Sequence, residues 1–111
     1  MLKENNSEMY QHLKNENIDA FNQARDAKQV VDLRNTIFRG VNLKGANLKD
    51  LDLSGCHFKS ADLRGLDLSG CNLNGCSIFN AKISGVFFPA SVSADEINLS
   101  LLHGTRIRMP A

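Results

Sequence analysis

The stretch GANLKDLDLSGCHFKSADLRGLDLSGCNL places Leu or Phe at every fifth position, at Leu48, Leu53, Phe58, Leu63, Leu68 and Leu73. An α-helix advances about 100° per residue, so a five-residue period walks around its surface and leaves no apolar stripe. A flat strand alternates faces, and an odd period would send successive leucines to opposite sides. The pattern predicts a chain that bends after every few residues, always in the same sense, so that each fifth side chain returns to a common axis. That shape is a coil with one corner per repeat.

Extended both ways, the period runs through Leu33, Phe38, Leu43, Leu48, Leu53, Phe58, Leu63, Leu68, Leu73, Ile78, Ile83 and Phe88. Two residues before these centres stand Val31, Thr36, Val41, Ala46, Leu51, Cys56, Ala61, Leu66, Cys71, Cys76, Ala81 and Val86, all small or apolar. Residues two apart in an extended segment share a face, so both columns point inward and make a core. Two residues after the centres come mostly Gly, with Asn35, Asp50, Ser60, Asn80 and the exception Ala90. These are turn formers and supply the bend.

The units ANLKD, ADLRG, LDLSG and CNLNG resemble the A(D/N)LXX repeat of the pentapeptide-repeat family, and the resemblance covers Val31 to Ala90 without interruption. It implies an all-β solenoid, a right-handed quadrilateral β-helix with four pentapeptides to a coil. That gives about three coils here, a stub on the order of 15 Å tall at ~4.8 Å per stacked strand. The four-sided section comes from the resemblance; the period by itself predicts only the coil.

So short a stack exposes its core at both ends, and its open edges need covering. Residues 1–30 are expected to form an N-terminal helical cap, since EMYQHLKNENIDAFNQARDAKQ is rich in helix formers, with Met9, Leu13, Ile18 and Phe21 as apolar contacts. Residues 31–90 form the repeat, and residues 91–111 a C-terminal helix and tail. Ser93 and Glu96 have the spacing of a capping box and Gly104 sits where a helix would stop, which predicts a helix near 94–102. That helix either closes the last coil or serves as a dimer face.

Composition changes this picture little. A chain of 111 residues, 42 % hydrophobic, is enough for one small domain, and a net charge of +1 signals neither a strongly basic nucleic-acid binder nor a strongly acidic mimic. The N-terminus resembles no signal peptide and no segment is long enough to span a bilayer, so a cytoplasmic location with no membrane partner is expected. Three cysteines without CxxC spacing fit reduced thiols.

Cys56, Cys71 and Cys76 all fall in the inward column and read as small buried hydrophobes. On the implied four-sided coil Cys56 and Cys76 stack in neighbouring turns, close enough for a disulfide, although oxidation is not expected. His57 points to the other side of the wall from Cys56, and His12 and His103 lack ligand-spaced companions, so no metal is expected. Asp52, Asp62 and Asp67 face water without a nucleophile partner, and the GxxxxGK(S/T) phosphate loop is absent. The chain therefore reads as no enzyme, with no catalytic residues and no cofactor.

The outer surface remains. One residue after each centre runs a basic series, Arg34, Arg39, Lys44, Lys49, Lys59 and Arg64, broken by Ser54. On the implied coil Arg39 stacks over Lys59 and Lys44 over Arg64, a cluster suited to an acidic protein patch or a phosphate backbone, diluted by Asp50, Asp62 and Asp67. Ile37, Phe79 and Phe87 are apolar at outward positions, to be covered by the caps or by a partner. The candidate partner-binding residues are thus Arg39, Lys44, Lys59, Arg64, Ile37, Phe79 and Phe87.

Some members of the resembled family protect gyrase by imitating duplex DNA, which takes a long acidic rod. The short stub and mixed walls here favour a non-catalytic scaffold that mediates protein–protein interaction. Gyrase protection by DNA mimicry, or a role as a translocated effector, are the alternatives. The expected partner is another protein, with homodimerisation through the C-terminal segment a further option and nucleic acid disfavoured.

Overall fold

The architecture follows from where each repeat puts its inward and corner residues. In a computed structural model of the chain, which describes residues 7–110, the centres from Leu33 to Ile78 are buried, as are Thr36, Ala46, Cys56, Ala61, Leu66, Cys71 and Cys76 of the second inward column. Parallel bridges join residues twenty apart, Ile37 to His57 to Ser77, Asn42 to Asp62 to Lys82, Asp52 to Asn72, and Asp67 to Phe87. Four repeats therefore separate each bridged residue from its partner. The principal extents are 36 × 26 × 26 Å.

Among the described residues these are isolated bridges and no extended strand or sheet forms. These bridges do not establish the expected all-β solenoid, and the reason that no strand extends is the repeat itself. At most corners the centre's carbonyl accepts from the N–H three residues on, as Phe38 does from Val41 and Leu53 from Cys56. At every corner but those of Gly70 and Ala90 the residue two after the centre takes positive φ, 70° at Gly40 and 74° at Gly55, the geometry of a type II turn. A turn that closes every five residues leaves the residue before each centre to bridge to its neighbours.

That residue also explains the Asp/Asn of the repeat. The side-chain oxygens of Asp32, Asn42, Asn47, Asp52, Asp62, Asp67 and Asn72 each accept from the backbone N–H two residues on, at 2.9 to 3.3 Å. Each is an Asx turn that pre-forms the corner.

Two helices cover the first turn of the chain. In α1 (Glu8–Lys14) Ser7 Oγ accepts from Tyr10 N, and in α2 (Ile18–Asp26) Asn17 Oδ1 accepts from Ala20 N. Met9, Leu13, Phe21 and Ala24 are buried against the repeat core. Polar side chains meet the open backbone edge: Tyr10 Oη donates to Ile37 O, Asn22 Nδ2 to Gly45 O, and Arg25 Nη2 to Lys49 O at 2.6 Å, while Glu16 accepts from Asn42 N. An edge so occupied cannot pair with another chain. The expected N-terminal segment up to residue 6 lies outside the described residues, as does Ala111.

At the other end α3 (Ala94–His103) begins at Ser93, whose Oγ accepts from Glu96 N, and stops at Gly104 with φ 74°. The expected capping box is half formed. The Glu96 carboxylate takes Arg108 instead, Nη2 at 2.6 Å and backbone N at 2.9 Å, a charge-assisted pairing stronger than a neutral cap. Ser100 Oγ accepts from Ile78 N, and Leu101 O accepts from Asn80 N. The tail then lies against the last full turn: Gly75 N donates to Ile107 O and Ile107 N to Cys76 O, both at 2.7 Å, with Ile107 buried. Among the described residues no helix is long and apolar enough to cross a membrane.

Candidate functional site

Stacking at twenty residues carries the outward side chains into columns. The bridges line up Ile37, His57 and Ser77, and the bonds Gly40 N to Lys59 O and Ser60 N to Phe79 O align Arg39, Lys59 and Phe79 beside them. The end of α3 raises a wall along this face, where a Cβ at Gly104 would come within 3.5 Å of the Phe79 ring. The result is an open groove of about 240 Å³ lined by Ile37, Arg39, His57, Lys59, Ser77, Phe79, His103 and Gly104.

Four of the seven candidate residues therefore meet in one place: Ile37, Arg39, Lys59 and Phe79. Lys59 Nζ lies 5.8 Å from the centre of the Phe79 ring, within cation–π range. Ile37 remains 45 % exposed, so the N-terminal helices do not cover it. Among the described residues Arg39 and Lys59 have no carboxylate partner.

The other half of the expected basic cluster is neutralised. Arg64 Nη2 donates to Asp62 Oδ2 at 2.7 Å, and Lys44 Nζ stands 3.9 Å from the same oxygen. The hydrogen bond from Arg64 is the main cause that holds the Asp62 carboxyl down to about 2. Lys44 and Arg64 thus form a mixed wall with Asp62 and no free basic patch. Phe87 is separated too. It bridges to Asp67, half a turn from the groove, and stays 65 % exposed.

His57 and His103 were not among the expected contacts, yet both line the groove. His57 Nε2 is shut off from solvent with no hydrogen-bond partner, and burial, then the positive charges of Arg106 and Arg39, push its pKa down. The Ser77 hydroxyl turns to Gly104 O, at the 3.5 Å limit, so His57 and Ser77 do not form a base–nucleophile pair. Among the described residues no group of His, Cys, Asp or Glu is arranged to hold a metal. The signal for His57 was present in the sequence, at twenty residues from Ile37 and Ser77; His103 depends on how α3 docks.

The inward cysteines are free thiols. Cys56, Cys71 and Cys76 donate to Leu33 O, Leu48 O and Leu53 O at 2.8, 3.1 and 2.9 Å. Burial pushes the Cys56 thiol up to about 12 and moves Cys71 and Cys76 the same way. They contribute to packing and offer no nucleophile.

Residues 31–65 and 56–89 match the family model described as pentapeptide repeats (8 copies). The chain belongs to the pentapeptide-repeat family. No curated protein and no solved structure matches it. Within the pentapeptide repeat the positions before the centres that depart from Asp or Asn are Ile37, His57, Ser77, Lys82 and Phe87. Three of these five form one column, and that column is the floor of the groove.

Proposed function

We propose that this pentapeptide-repeat chain is a right-handed quadrilateral β-helix of about three coils, with helical caps, that serves as a non-catalytic scaffold for another protein in the cytoplasm. The four-sided form is supported by bridges at twenty-residue spacing and by Ile37, His57 and Ser77 standing at three successive levels. The observation that carries the binding role is the groove, which sets the unpaired Arg39 and Lys59 beside the apolar Ile37 and Phe79. An Asx residue would have stabilised each corner along its floor; giving it up at three levels trades local stability for surface chemistry, as binding faces do. The net charge of +1 and the longest extent of 36 Å argue against duplex mimicry and the gyrase reading.

The test is affinity capture from cells that make the protein, with Arg39→Glu/Lys59→Glu set against Lys44→Glu/Arg64→Glu, both checked for folding. A protein retained by wild type and by the second variant but lost from the first supports the scaffold reading. Retention by all three, or by none, contradicts it. A second contact, between two copies, is favoured by Leu99 and Leu102, which α3 leaves 39 % and 64 % exposed. Leu102→Asp would then lower the mass measured by light scattering; a monomeric wild type would refute it.

A further inference from the structure

The groove's chemistry narrows what the partner offers. Its two free cations lie on one line, Arg39 and Lys59, and Arg106 is close enough to repel a proton from His57. Among the described residues none of these three has a carboxylate partner, and no Asp or Glu lines the groove. Every other Arg in the repeat is matched: Arg34 by Asp32 at 2.9 Å and Arg64 by Asp62 at 2.7 Å. In each pair the carboxylate is the residue before the centre, supplied two positions upstream of the Arg. Where Arg39 stands, that position is Ile37; where Lys59 stands, it is His57. The repeat's own counter-ion is missing at two successive levels of one face.

An unmatched cation pair above an apolar floor asks for a ligand with both features. We propose that the groove takes an acidic peptide segment of the partner, its Asp or Glu carboxylates on Arg39 and Lys59 and an adjacent aliphatic side chain against Ile37 and Phe79. The inference rests on the scaffold reading and states the partner's chemistry. The carboxylates replace the missing Asx acceptors, and a bidentate carboxylate suits the Arg39 guanidinium. A polynucleotide would use the same cations but gains nothing from Ile37, and Asp52 and Asp62 on the two adjoining columns limit a longer phosphate track.

The test is a titration of the full chain, isotopically labelled, with a capped octapeptide of alternating aspartate and leucine, followed by amide chemical shifts. Controls replace every aspartate by lysine, or every leucine by serine, and a thymidine octanucleotide probes the phosphate alternative. The expected result is saturable shifts at Ile37, Arg39, His57, Lys59 and Phe79. Affinity should fall about tenfold or more in Arg39→Glu/Lys59→Glu and stay within about twofold in Lys44→Glu/Arg64→Glu. The serine control should bind more weakly and the lysine control not at all. Shifts elsewhere, equal binding of the lysine control, or tighter binding of the oligonucleotide would overturn the inference. If the peptide does not bind while Arg39→Glu/Lys59→Glu still abolishes protein capture, the acidic segment is refuted and the scaffold stands. If capture also survives that variant, both are refuted.

Discussion

The ring of Phe38 lies flat on that of Phe58, with centroids 5.4 Å apart and planes 6° from parallel. The two centres are twenty residues apart, and the stack is continued upward by Tyr10 of α1, edge-on to Phe38 at 5.6 Å. One aromatic column thus joins the N-terminal cap to the repeat. Phe58→Ala is expected to cost about 3–5 kcal/mol and Leu53→Ala about 2–5 kcal/mol, read from urea unfolding. A loss below about 1 kcal/mol at Leu53 would contradict its inward position.

The corners can be tested by two glycines of near-equal φ, 74° at Gly55 and 76° at Gly65. Both disfavour an L side chain, by about 1–2 kcal/mol. A Cβ at Gly65 meets open space, whereas one at Gly55 would overlap the Asn35 carboxamide stacked above it. Gly55→Ala is therefore expected to lower the unfolding midpoint further than Gly65→Ala. Equal effects would refute the stacking of Asn35 on Gly55.

Asp62 links acid sensitivity to the neutral wall. Its carboxyl is held down to about 2, first by the hydrogen bond from Arg64, against roughly 3.9 in an unfolded chain. A depressed carboxylate stabilises the fold above the unfolded value and loses that contribution as pH falls through the folded one. Wild type should lose stability between about pH 4 and pH 2, and Asp62→Asn should flatten part of that slope. Asp32, Asp67 and Glu96 are shifted the same way and carry the rest. Because Asn42, Asn47 and Asn72 make the same corner bond, Asp62→Asn should unfold at a higher midpoint than Asp62→Ala at neutral pH.

The thiols report on global opening. With Cys56 buried and its thiol pushed up to about 12, a disulfide reagent at neutral pH should label none of Cys56, Cys71 and Cys76 until the chain unfolds. Labelling should track the urea unfolding curve. Rapid labelling of any of the three in the native state would contradict their inward placement.

Most of the repeat was legible because each structural duty falls on a fixed position. Leu53 and Cys56 could be placed in the core, and Gly55 at a corner, from spacing alone. The bridging register needed the four-sided form that the family resemblance implied. What spacing could not reveal were choices between competing partners. Asp62 could have left Lys44 and Arg64 free, and Glu96 could have completed a capping box; each took the stronger charged donor within reach. The burial of Ile107 and the arrival of His103 in the groove depend on how the tail and α3 dock, a long-range outcome that no local period encodes. The absence of Asp or Asn at Ile37, His57 and Ser77 was visible, but its meaning required knowing that the Asx oxygen builds the corner.

The most direct test is photo-cross-linking in cells, with a benzophenone amino acid placed singly at positions 37, 79 and 87. Ile37 and Phe79 share the groove, and Phe87 stands half a turn away with greater exposure. The account predicts the same protein adduct from positions 37 and 79 and none from position 87. An adduct from position 87 alone, or from none of the three, would contradict the assignment of the groove as the partner-binding face.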